Sequence, residues 1–505
     1  MSLTNRCLTV IGCVLVAFTI LLRVIGVFTY LPVSFVDEVI YIEPAINMAQ
    51  GDKPLATGMD LQLTNKGIIG LNKVYHLTTP INWAIRIPFL CLVGNVIIGK
   101  GISEMAILVI FTLAFVFALK ARINWPIAVF SLGVLLFYRY TGFASAGRPD
   151  LLCAAFGLLS FGLILRADKA RWFFLFAAGM CSGLSFITHQ FGGIVWGGVS
   201  TALLCWNLWP KGYRDFIRCL LLFIGGGAAI GATYIIYVFQ NDFEAWRSQF
   251  FWLVELKKHL NFNPRLASVE VLKNILMRNP LPWFLLLLVF STCRHIKNMP
   301  IVAIALAFMA IGIAWRVNGF EHYNTAYNVH FWTLLCLAIA FGLPELINSV
   351  EYEKHLRFIA IATLASFIIV GILGNINIIC STFFLNHADA FHKRQEILSG
   401  IPDNANVLVS SSLYFEVLPK NKVLMAHHEK MDLDDFDFII LSTPTPLIKY
   451  GQDQWVDVLT AVQNESFNHG YSLFSYETEK KLGWTVPLTP VQPSTLGCYI
   501  FKRNK

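Results

Sequence analysis

The chain has 505 residues, 56% of them hydrophobic and only 14% charged, with a mean hydropathy of +0.60 and a formal net charge of +8. Soluble domains run nearer to about a quarter charged, so most of this chain must be solvated by lipid or by other apolar helices. The positive charge does not point to nucleic acid, because Lys and Arg fall in short clusters between apolar runs and form no continuous basic face.

The first apolar run, Leu8 to Leu31, carries Arg23, exceeds a signal-peptide core and lacks a small-x-small cleavage site, so it reads as an uncleaved anchor. Further candidate spans follow at 102–119, 124–142, 149–166, 172–189, 191–209, 217–239, 281–293, 299–316, 329–347 and 357–380. Placing Arg6 and the N-terminus in the cytoplasm puts Lys120/Arg122, Arg166/Lys169/Arg171, Lys211/Arg214/Arg218, Arg294/Lys297 and Lys354/Arg357 on the inner side. Every inner loop is then basic. Counting Ile81–Gly99 as a span would invert the later clusters, so that stretch is expected to be an interfacial or re-entrant helix on the outer side.

No run after Cys380 can span. Val407–Val409, Val423–Met425, Phe438–Leu441 and Cys498–Phe501 predict strands, and Gln454–Val462 a helix. The expected architecture is an all-α polytopic membrane domain over 1–380, with a first outer loop at 32–101, followed by a small extracytoplasmic α/β domain over 390–505. Of the eleven cysteines only Cys498 lies clearly in that domain, so no disulfide framework is expected there.

With this topology the polar residues gather on the outer side. Asp37 and Glu38 follow the first span directly, where a desolvated acid is costly. They read either as catalytic carboxylates or as the start of a short helix over 38–50, with Asp37 as N-cap and Glu38 and Glu43 favourable to its dipole; the two readings are compatible. Arg148 precedes Pro149 and Asp150, a turn at a helix start in which Asp150 again suits the dipole. His189 ends one span and Arg316 another, Arg316 in the company of Glu321, His322, Tyr323 and Tyr327. Snorkelling is the plain reading of Arg316, and capping that of His189. Arg278, Lys73 and His76 are further candidates for holding an anion. A divalent metal finds no support: His427-His428-Glu429 near Asp432 matches no standard ligand spacing. No Gly-rich phosphate loop or nucleotide fingerprint is present either.

Three segments in order carry a family resemblance: Asp37-Glu38 with the spaced Tyr41, Ala45, Met48 and Gly51; Tyr75-His76-Leu77-Thr78-Thr79-Pro80 leading into Ile81-Asn82-Trp83; and Gly147-Arg148-Pro149-Asp150. Together they resemble the GT-C membrane glycosyltransferases, above all family 39, with its protein O-mannosyltransferases and lipid A aminoarabinose transferases. Where several relatives have Lys-Pro-Pro, this chain has Thr78-Thr79-Pro80. The resemblance implies a GT-C fold in the plasma or inner membrane. It further implies inverting transfer of a hexosyl or pentosyl group from a polyprenyl-phosphate donor to a glycan, lipid or protein acceptor. Asp37 becomes the general base and Glu38 its neighbour in orienting substrate; Tyr75, His76, Arg148, Asp150, His189, Arg316, His322 and Tyr323 become substrate-binding candidates. The rival class is a transporter or lipid flippase, which would place ionisable residues at mid-membrane and show two similar halves with broken helices. The spans here are mostly free of charge and no internal repeat is visible. A third reading, an anchored scaffold, leaves the Asp37-Glu38 pair without a purpose.

Overall fold

The computed structural model describes residues 3–31, 36–56, 58, 68–69, 71, 75–76, 79–137, 147–167, 172–208, 212–258, 264–273, 301–318, 327–352, 354–418, 422–425, 435–443, 470–482 and 495–504. The helices are α1 (Leu3–Phe28), α2 (Val36–Ala49), α3 (Pro80–Val93), α4 (Val96–Leu119), α5 (Trp125–Phe137), α6 (Asp150–Arg166), α7 (Trp172–Thr188) and α8 (Gln190–Leu208). They continue with α9 (Tyr213–Gln240), α10 (Phe243–Lys258), α11 (Pro264–Lys273), α12 (Ile301–Asn318), α13 (Asn328–Tyr352), α14 (Lys354–Phe383), α15 (His387–Leu398) and α16 (Tyr414–Val417). Among the described residues α1, α4 and α9 are long and apolar enough to cross a membrane. At 1.5 Å per residue even the 24 residues of α4 reach about 36 Å.

The stretch Ile81–Gly99 is neither one span nor one surface helix. Pro80 starts α3, its missing N–H costing nothing at that position, and Gly94 stops it at φ +65°, in left-handed backbone that a glycine adopts cheaply. The next helix starts at Val96, six residues before the expected 102, because Asn95 caps it: its Oδ1 accepts from the backbone N–H of Ile97 and Ile98. The segment 281–293 and the helix expected at Gln454–Val462 lie outside the described residues.

The chain forms two compact units. The first comprises Met1–Leu21, Glu104–Asn241 and Leu253–Gly374. Its centre is α5 and α6, buried almost all round, as helices apolar on every face should be. Small residues let neighbours approach to backbone contact, as membrane helices do where no hydrophobic force separates lipid from protein. A Cβ at Gly179 of α7 would run into the Phe223 carbonyl of α9, and one at Gly226 of α9 into the Phe176 carbonyl of α7. Polar bonds add register: Ser160 to Ser200 between α6 and α8 (2.9 Å), and the Trp332 indole of α13 to the Leu135 carbonyl of α5 (3.2 Å).

The second unit comprises Leu22–Ser103, Asp242–Trp252 and Asn375–Lys505. It contains a five-stranded sheet of β1 (Asn406–Val409), β2 (Lys422–Met425), β3 (Phe438–Thr443), β4 (Tyr471–Glu477) and β5 (Gly497–Arg503), in the order β2-β1-β3-β5-β4. β1 runs parallel to β2 and β3, while β5 is antiparallel to β3 and β4. The four expected strands are present, and β4 adds a fifth whose Leu473, Phe474 and Tyr476 are exposed, so that no buried alternation marks it in the sequence. One apolar core joins this sheet to the first loop. Val39, Ile42 and Ile46 of α2 bury together with Tyr75, Trp83, Leu413, Phe415 and Ile440. Gly58 is required there, since a Cβ would overlap the Tyr414 ring.

Candidate active site

In the second unit, α2 starts at Val36, so Asp37 stands in its first turn and not at the N-cap. A helix start favours acidic residues in its first turn. The side chain of Asp37 lies outside the described residues. Glu38 is fully buried, and its Oε2 lies 2.6 Å from Nζ of Lys100 on α4, which is itself 3% exposed. The Lys100 ammonium also sits 5.5 Å from the centre of the Phe415 ring. Glu43, one turn past Val39, is buried too and accepts from the Gly58 backbone N–H at 3.2 Å.

The same unit holds the aromatic segment. Tyr75 is fully buried within the shared core, and the backbone N–H of His76 donates to Oε1 of the buried Gln249 on α10 at 2.6 Å. On α3, Asn82 Nδ2 donates to the Tyr41 carbonyl (3.1 Å), and Arg86 Nη1 to Ser103 Oγ (3.1 Å). These bonds tie α2, α3 and the start of α4 together behind the Asp37-Glu38 turn.

In the first unit, Arg148, Asp150 and His189 converge, and His330 of α13 joins them. Gly147 turns the chain with φ +75°, and Asp150 opens α6. Arg148 Nε donates to Asp150 Oδ2 at 2.8 Å, with both side chains buried, and the guanidinium lies 5.3 Å from the centre of the Tyr327 ring. Asp150 Oδ1 faces His330 Nε2 at 3.4 Å and His189 Nδ1 at 3.7 Å.

One carboxylate and two imidazoles so close have the spacing of a metal site. Their hydrogen bonds speak against it. The Trp196 indole N–H can only donate, and it donates to His330 Nδ1 at 3.1 Å. In the neutral imidazole the proton therefore sits on Nε2, leaving no lone pair there for a cation. His189 Nδ1 likewise accepts from the Gly192 N–H at 3.2 Å. The cluster is a buried ion pair with its histidines held in chosen orientations, pinning the ends of α6, α8 and α13. Gly192 makes room for it, since a Cβ would overlap the His330 ring and the Cys153 sulfur.

Arg316 lies near the end of α12, its side chain outside the described residues, and His322 and Tyr323 are outside them altogether. Two residues that complete these clusters were missed. Lys100 carried a signal: it is a lysine on the expected outer side, against the positive-inside trend. His330 carried little, because a lone histidine at the start of an apolar run does not reveal its partners.

These elements define the class: a membrane protein of GT-C fold, the fold of ArnT. The chain is similar over 96% of its length to the crystal structure of ArnT from Cupriavidus metallidurans in the apo state, of which 97% is covered, with a TM-score of 0.54 and 13% identity. It is similar over the same shares, with a TM-score of 0.55 and 13% identity, to the crystal structure of that ArnT bound to undecaprenyl phosphate. At this identity the likeness establishes the fold. No family model matches the chain, and no curated protein matches its sequence.

Proposed function

We propose that this chain is an integral membrane glycosyltransferase that moves a sugar from a polyprenyl-phosphate donor to an acceptor on the extracytoplasmic side. The observation that carries this reading is the match in fold over 96% of the chain to a protein crystallised with undecaprenyl phosphate. The Asp37-Glu38 pair on the first turn after the first span supports it, since that is where a lipid-linked sugar meets water.

Asp37 is the base. It takes the proton of an acceptor hydroxyl or amine; the acceptor atom attacks the anomeric carbon; the carbon–oxygen bond to phosphate breaks; and polyprenyl phosphate leaves with its electron pair. Attack opposite the leaving group inverts the anomeric centre. The leaving phosphate gains charge, and a fixed arginine stabilises it more in the transition state than before. Arg316 is the candidate for this role. Arg148 is the lesser candidate, because its Nε is engaged by Asp150 and its side chain is buried. Tyr75, His76, Asp150, His189, His322 and Tyr323 are supporting candidates.

The test is turnover of purified chain in lipid nanodiscs with undecaprenyl-phosphate-linked sugars and a panel of lipid and glycan acceptors. The expected result is free undecaprenyl phosphate and a product of inverted anomeric configuration. Retention of configuration would overturn the single-displacement mechanism. Movement of the lipid across the bilayer without sugar transfer would overturn the enzyme reading in favour of a flippase.

A further inference from the structure

Apart from any contact of Glu38 with substrate, the Glu38–Lys100 pair is built at a cost. Burying two charges is repaid only by close geometry, and removing one partner of such a pair leaves the other charge stranded. Here the contact is 2.6 Å, with the two side chains 0% and 3% exposed. Glu38 is also the immediate neighbour of the proposed base. A bare negative charge on Glu38, next to Asp37 in the chain, would raise the proton affinity of Asp37 through its field.

We propose that Lys100 is a positioning residue for Asp37: it neutralises Glu38 and anchors the first turn of α2, so that Asp37 stays ionised and in place at neutral pH. This rests on the reading of Asp37 as general base. Among the described contacts, the neighbouring charged groups have partners of their own. On α3, Arg86 is engaged by Ser103 Oγ. On α2, Glu43 is engaged by the Gly58 N–H. Beyond β1, Glu416 is held by Arg394 at 2.9 Å, and Tyr414 is a buried phenol. His76 is buried in the loop before α3.

The experiment is a charge cycle read by the pH dependence of transfer from undecaprenyl-phosphate-linked sugar, using Lys100→Met, Lys100→Arg, Glu38→Gln and the double variant Glu38→Gln/Lys100→Met. Lys100→Met should move the acid limb of the rate profile up by about one pH unit or more and lower the rate at pH 7 at least about tenfold. The double variant should return the limb toward wild type, because no stranded carboxylate remains, and Lys100→Arg should stay close to wild type. A Lys100→Met profile with an unmoved acid limb would overturn the proposal. So would a double variant as impaired as Lys100→Met, which would make Lys100 a direct substrate contact. Asp37→Asn, measured in parallel, separates the two failures: full activity there removes the base reading itself, whatever Lys100 does.

Discussion

At the scale of the residue, the two clusters ask different things of their carboxylates. Asp37→Asn keeps the shape and most of the hydrogen bonding of the side chain but cannot take a proton. Transfer should therefore fall by about 10²-fold or more, while expression and thermal midpoint stay near wild type. A variant with near-normal rate would send the base role to another group. Asp150 is the opposite case. It is fully buried against Arg148 at 2.8 Å, so Asp150→Asn strands a guanidinium. The expected cost is about 3–5 kcal/mol, read as a large drop in the thermal midpoint in detergent. Arg148→Gln/Asp150→Asn should recover much of that loss. If the double variant melts no higher than Asp150→Asn, the pair is not what holds the ends of α6, α8 and α13 together.

At the scale of the element, α15 is fastened to the end of α1 by side chains the sequence had not marked. Tyr30 stacks on Phe391 with ring centres 3.8 Å apart, and His387 Nδ1 donates to the Thr29 carbonyl at 3.1 Å. Burial first, then the charge of Arg394, push the His387 pKa from 6.5 down to about 4, against the hydrogen bond to Thr29. A depressed histidine favours the neutral form in the folded state, and the unfolded chain binds the proton more readily. Its contribution is thus whole above about pH 6.5 and is lost as the pH falls toward 4, up to about 3 kcal/mol in all. His387→Gln should narrow the difference in thermal midpoint between pH 7 and pH 4.5. An unchanged difference would assign the acid sensitivity to other groups.

At the scale of the whole molecule, what could be read in the sequence was what is periodic or local. Apolar runs located α1, α4 to α9 and α12 to α14, and short apolar runs located β1, β2, β3 and β5, because those signals depend on solvent and neighbours in the chain alone. The break at Gly94, the partnership of Glu38 with Lys100 and the approach of His330 to Asp150 depend on residues 62 or more positions apart or on backbone angle, and no pattern along the chain states them. The shared core of α2, α3 and the sheet is of the same kind: Val39 and Ile440 are each ordinary apolar residues until the fold brings their segments together.

One property of the whole chain is predicted by the sequence and open to direct measurement, its orientation. Only one assignment makes the loops holding Lys120/Arg122, Lys211/Arg214/Arg218 and Lys354/Arg357 all cytoplasmic, and it predicts the first loop and the C-terminal sheet outside. The bias acts through basic residues near span ends, and these lie just after α4 or in and beside the first turns of α9 and α14. Asp52, Lys120 and Glu396 are exposed, and each tolerates a small polar-to-thiol change without touching a core. In a background without native cysteines, Asp52→Cys and Glu396→Cys should react with a membrane-impermeant maleimide added to intact cells or spheroplasts. Lys120→Cys should react only after the membrane is opened. Protection of Asp52→Cys and Glu396→Cys in intact cells, with labelling of Lys120→Cys, would invert the chain and move Asp37 to the cytoplasmic side.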